Sequence, residues 1–213
     1  MLLLGFIVNA QKPKMKFIFN GKNLDGWYSF LRTQEVNKDP DKVFTVENGL
    51  IHVSGKDFGY ISTHKSYQDF HLMVDFKWGE KKYPPRENDK RDSGILFFIP
   101  ENKADKIWPR SLECQIQEGD VGDMWLIDSA TVIVNGNRTI PKNYTRVEKK
   151  RDNEKSNGQW NTVEVLAKDG KITYSVNGQI VNEAEKPNLK KGKILLQSEG
   201  AEIYYRNIRI TEL

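Results

Sequence analysis

One cysteine, Cys114, stands in the 213-residue chain, so no intramolecular disulfide can form and stability has to come from a packed core. No stretch approaches the ~20 consecutive apolar residues that a bilayer-spanning helix needs. Charge of one sign is missing too: 33 Lys and Arg against 29 Asp and Glu leave +4, too little to define a polyanionic or polycationic partner. The basic clusters Lys81-Lys82, Lys149-Lys150-Arg151 and Lys190-Lys191 fall among Pro, Asn, Asp and Gly and read as solvated loops, which argues against nucleic-acid binding. His52, His64 and His71 are scattered without metal-ligand spacing, and there is no nucleophile elbow, P-loop or dinucleotide fingerprint. Hydrolase triads, NTPase and NAD-dependent functions are therefore disfavoured. Signals for helices are nearly absent as well.

Turns and strands fill the chain instead. Asn20-Gly21, Asp25-Gly26, Asn48-Gly49, Asn135-Gly136, Asp169-Gly170 and Asn177-Gly178 punctuate runs of alternating or β-branched residues, the pattern of short antiparallel strands. The clearest is a three-strand meander over 162–167, 172–176 and 179–181. Further strands are predicted at 43–46, 50–53, 71–78, 93–99, 112–117, 131–134, 193–197 and 202–210, with polar loops at 81–91 and 143–158. So many strands without crossover helices exclude a parallel α/β sheet and favour an all-β, two-sheet antiparallel sandwich. The short apolar run of residues 1–10, ending at Ala10, has the pattern of a secretory signal, and without a following Cys for acylation it predicts a periplasmic or secreted domain over 11–213.

The chemistry is expected on one strand. Alternation along residues 112–118 turns Leu112, Cys114 and Ile116 one way and Glu113, Gln115 and Gln117 the other. One carboxylate and two carboxamides in a row suit ring hydroxyls, since the carboxylate accepts and the amides both donate and accept. Trp108 and Arg110 lie just upstream, an indole to stack on a sugar and a guanidinium to bind a carbonyl or hydroxyl. Glu118, Asp123 and Trp125 lie downstream at a Gly-containing turn, and Asp92-Ser93-Gly94 opens a neighbouring apolar strand.

Residues 19–27, from Phe19 to Trp27, resemble the opening motif of the 3-keto-disaccharide hydrolase domain family. So do Asp92-Ser93-Gly94-Ile95, with Asp where Asn is more usual, and the stretches 108–120 and 195–208, so that the resemblance spans about 17–211. It implies a concanavalin A-like jelly roll and cleavage of glycosides already oxidised to a ketone at C3. Such a ketone acidifies the C2 proton, so a general base can form an enolate that expels the C1 substituent, and water then adds. On this reading Glu113 is the base or a metal ligand. Arg110 and Gln115 stabilise the enolate and ring hydroxyls, Trp108 or Trp125 stacks, and Gln197 and Glu199 reach the same face. The cofactor is either none or a divalent metal at the enolate oxygen. The competing readings are a non-catalytic carbohydrate-binding module and an interaction domain of a surface assembly; oligomeric state is left open.

Overall fold

The computed structural model describes residues 14–213; the apolar run at 1–10 lies outside the described residues. Seventeen strands follow in order: β1 Lys16–Phe17, β2 Trp27–Leu31, β3 Phe44–Glu47, β4 Leu50–Val53, β5 Gly59–Thr63, β6 Phe70–Lys82, β7 Asp92–Ile99, β8 Ser111–Gln117, β9 Met124–Ile127, β10 Ile133–Val134, β11 Asn137–Arg138, β12 Tyr144–Val147, β13 Asn161–Lys168, β14 Lys171–Val176, β15 Gln179–Glu185, β16 Lys193–Ser198 and β17 Ala201–Glu212. Among the described residues there is no helix, and hence none long and apolar enough to cross a membrane. Two antiparallel sheets result. One runs β11-β10-β15-β14-β13-β6-β17-β4-β3 with β1 added on β17, and the other runs β12-β9-β8-β7-β16-β5-β2.

Local chemistry accounts for the hairpins. Asp169 and Gly170, like Asn177 and Gly178, are left-handed at both central turn positions, the conformation whose twist matches paired strands. The predicted meander is therefore β13-β14-β15 in the observed register. Asn20-Gly21 and Asp25-Gly26 are corrections: both lie in the loop between β1 and β2. There the Asn20 side chain accepts the Lys22 and Asn23 amides at 2.8 and 2.9 Å and folds a local turn in place of a hairpin.

The sheets enclose one core because each buries alternate residues. Phe70, Leu72, Val74, Phe76 and Trp78 of β6 meet Ile95 and Phe97 of β7, Leu112, Cys114 and Ile116 of β8, and Ile194 and Leu196 of β16. The opposite face of the seven-stranded sheet is divided. One half is apolar, with Tyr28, Tyr60, Leu96, Ile99, Ile127 and Leu195 clustered, and the loop after β7 is pinned over it by Asp105, which accepts hydrogen bonds from the Tyr28 and Tyr60 hydroxyls. The other half is polar. Where β2 meets β5, a Cβ on Gly59 would sit 2.1 Å from the Phe30 carbonyl oxygen. Backbone cannot retreat there, so Gly59→Ala is expected to cost about 2–3 kcal/mol of overpacking in denaturant unfolding, with the slope unchanged.

Candidate functional site

Parity along four adjacent strands builds a pocket of about 500 Å³ on that outer half, lined by carboxyl, amide and aromatic side chains. β8 presents Glu113, Gln115 and Gln117; β7 presents Asp92 opposite Gln117 and Gly94 opposite Gln115; β9 places Trp125 opposite Glu113. β16 contributes Gln197, and Glu199 follows just beyond its end. The loop after β6 swings Arg86 over this face, and Trp108 and Tyr144 form an aromatic rim with ring centroids 6.3 Å apart at 89°.

The hydrogen bonds divide the three carboxyls into two kinds. Asp92 is fully engaged: Gln115 Nε2 donates to one oxygen at 2.9 Å, while Gln117 Nε2 and Arg86 Nη2, each at 2.7 Å, reach the other. Glu199 accepts from the Trp108 indole, from Gln197 Nε2 at 3.0 Å and from Arg86 Nη1 at 3.3 Å. Among the described residues no hydrogen-bond partner reaches the Glu113 carboxyl. Burial pushes its pKa well above the usual carboxylate range, and the charges of Glu199 and Asp92 push it further. Glu199 is raised as well, to about 7, by burial and by Asp92, with Trp108 and Arg86 opposing.

A second observation bears on the Glu113 carboxyl. Gln197 Oε1 is buried without a donor, and both it and Glu113 Oε1 lie within 2.3 Å of the point where a Cβ on Gly94 would stand. Two acceptors cannot face each other comfortably, but a protonated Glu113 can donate to the amide oxygen. Gly94 is glycine because these two side chains use its space. Gly94→Ala is expected to displace the Glu113 carboxyl rather than the backbone, so that an activity dependent on that carboxyl falls about 100-fold with little change in melting temperature. Paired kinetics and thermal unfolding check this.

Eight of the twelve residues singled out from sequence therefore meet in one pocket: Glu113, Gln115, Gln117, Asp92, Trp108, Trp125, Gln197 and Glu199. Four do not. Ser93 points inward, its hydroxyl bonded to Tyr205 and to the Gln197 carbonyl, as strand alternation requires. Glu118 is tied to Arg91 and Asn157, and Asp123 is buried against Arg146 and the Lys149 amide, so both brace loops. Arg110 precedes β8, where strand parity does not apply, and opens into a different cavity. Arg86 is the one cation among the pocket's lining residues; it and Tyr144 come from segments that read only as polar loops.

Among the described residues no three His, Cys, Asp or Glu side chains form a metal-binding group. Arg86 and the two glutamines already occupy Asp92, and Arg86 pairs with Glu199, so the pocket oxygens left without a donor among the described residues include those of Glu113 and Gln197 Oε1. A larger cavity, about 690 Å³, is lined by Lys168, Lys171, Lys186 and Lys190 and has no buried carboxyl.

The two antiparallel sheets make a jelly-roll sandwich whose outer strand face carries a pocket of carboxyl, amide and aromatic side chains. The chain belongs to the 3-keto-alpha-glucoside-1,2-lyase-like domain family, whose model matches residues 14–211. Among solved structures it is similar to a candidate glycosyl hydrolase of Parabacteroides distasonis, with 23% identity over 93% of this chain and 94% of that one and a TM-score of 0.66. The carbohydrate-binding module CBM66 of Bacillus subtilis (11% identity, 87% and 95% covered, TM-score 0.58) and the β-glucanase of Bacillus licheniformis (12%, 96% and 100%, 0.58) share the fold. No curated protein matches the chain by sequence.

Proposed function

We propose that this protein cleaves the C1–O bond of 3-keto glycosides by elimination, with Glu199 as general base and Glu113 as general acid. The observation that carries the reading is the contrast between two carboxyls in one pocket: Glu113 is buried with no donor on its carboxyl among the described residues, which pushes its pKa upward, whereas Glu199 accepts from Trp108, Gln197 and Arg86. Environments that push two titratable groups apart divide the acid and base roles between them. On this reading Glu113, expected from sequence to be the base, serves instead as the acid, because burial disfavours its carboxylate.

Glu199 removes the C2 proton, and the electron pair moves to the C3 oxygen, where Arg86, not Arg110, faces the developing charge. The enolate then collapses, the C1–O bond breaks, and the departing oxygen takes the Glu113 proton. The products are a 1,2-unsaturated 3-keto sugar and an alcohol. Addition of water reverses the roles: Glu113 accepts the water proton as oxygen joins C1, and Glu199 returns its proton to C2. Gln115, Gln117 and Gln197 offer amide groups to the ring hydroxyls, and Trp108, Trp125 and Tyr144 offer apolar faces. Export by the segment at 1–10, with one domain over 11–213, belongs to the same proposal.

The deciding experiment incubates the protein with a 3-keto-glucoside and its unoxidised parent, with and without chelator, and follows aglycone release. Release from the keto compound alone, unaffected by chelator, is the expected result. Release from neither, with binding retained, would leave a carbohydrate-binding module.

A further inference from the structure

Arg110 has no part in this chemistry, yet it does not lie idle on the surface. It lines a second cavity of about 470 Å³ that shares a wall with the reaction pocket: Trp108 faces one and Pro109 the other, and Ile127 faces one and Asp128 the other. Four cations, Lys103, Lys106, Arg110 and Lys193, surround it against two carboxylates. Both carboxylates are engaged, Asp105 by the Tyr28 and Tyr60 hydroxyls and Asp128 by Lys106 at 2.6 Å. Among the described residues Lys103 has no ion pair. Lys193 reaches only Tyr28, with Nζ 3.4 Å from the hydroxyl and 4.7 Å from the ring centroid. Arg110 Nε is buried with no acceptor. The turn forming one wall is left-handed at both Asp128 (φ 54°) and Ser129 (φ 65°), a conformation that favours Gly or Asn and marks a held, built geometry.

We propose that this cavity binds one oxyanion group, a carboxylate, sulfate or phosphate, carried on the leaving-group side of the glycoside, with Arg110 as its principal ligand. A buried donor without an acceptor costs roughly 1–3 kcal/mol, and a planar guanidinium is suited to a two-oxygen anion. The direction follows from the elimination reading, on which the proposal rests for the source of the anion. With C3 at Arg86 and C1 at Glu113, the C1 substituent extends towards Ile127 and Trp108, and the second cavity lies beyond them.

The test compares binding of the phenyl and 3-carboxyphenyl 3-keto-glucosides to the Glu199→Gln protein by calorimetry, with Arg110 intact and as Arg110→Met. The carboxylated ligand is expected to bind at least about tenfold more tightly. That advantage should vanish in Arg110→Met while the phenyl ligand is unaffected; equal affinities, or an advantage that survives Arg110→Met, would overturn the proposal. A second arm titrates inorganic sulfate at constant ionic strength and reads the melting temperature, expected to rise in wild type and not in Arg110→Met. Lys103→Gln, an exposed change, replaces Arg110→Met in both arms if the latter does not fold. Sulfate binding without the carboxylate advantage would overturn the substrate-borne source and leave a free-anion site. Failure of both glycosides to bind would remove the elimination reading, and with it the proposed source, while sulfate decides whether the cavity takes anions at all.

Discussion

Glu113→Gln is expected to lose about 10²–10⁴ in turnover on glycosides of alkyl alcohols, the range of a general acid, and far less on nitrophenyl glycosides, whose leaving group needs no proton. Glu199→Gln, which removes the base, should depress both substrates alike. The pH dependence has a definite sign. On the proposed roles activity needs Glu199 ionised and Glu113 protonated, so kcat/KM in wild type is expected to rise through about 7. A fall is expected where Glu113 gives up its proton, above the ordinary carboxylate range. The alkaline fall should be absent in Glu113→Gln. The same carboxyl sets a stability trend. Its pKa is higher folded than unfolded, so its contribution is fully present below the unfolded value near 4.5 and is lost as pH rises through the folded value. Glu113→Gln cannot ionise, and is expected to melt about 2–4 °C above wild type in alkaline buffer, with the difference vanishing in acid. A variant that keeps its turnover on alkyl glycosides and is no more stable at high pH would place Glu113 outside this role.

Arg86→Ala should be the most damaging change in the pocket. It leaves Asp92 and Glu199 buried without their shared counter-charge, a loss of about 3–5 kcal/mol when one member of a buried pair is removed. The penalty should be greatest at neutral and alkaline pH and should shrink in acid, where both carboxyls take up protons. Turnover should fall by about 10²–10³, the cost of removing one donor from a developing oxyanion. Arg86→Lys should recover part of the stability but little of the turnover, because a lysine cannot reach two carboxylates with a planar fork. Urea unfolding at two pH values, together with kcat on a keto substrate, separates these effects.

Much of this arrangement was legible in residues 112–118 alone. The alternation of Leu112, Cys114 and Ile116 with Glu113, Gln115 and Gln117 fixed which face was core and which was pocket, and all six sit as expected. The same rule, applied to Asp92-Ser93-Gly94, would have sent Ser93 inward, and it does point there. Legibility ended where strands end. Arg110 precedes β8 by one residue, so its direction follows from the path of the loop rather than from parity. Arg86 reaches Glu199 across 113 residues of chain, a contact without a local signature. β12 lay inside what read as a polar loop, since Tyr144, Thr145, Arg146 and Val147 pair only on one side, at a sheet edge where hydrophobic alternation fades.

The division of β8 by parity also bears on how such a protein can diversify. Its even-numbered residues are committed to the buried layer, whereas Glu113, Gln115 and Gln117 face the pocket. Recognition can therefore be rewritten one odd position at a time without disturbing the layer beneath, so the scaffold can keep its thermodynamic footing while its repertoire of ligands drifts.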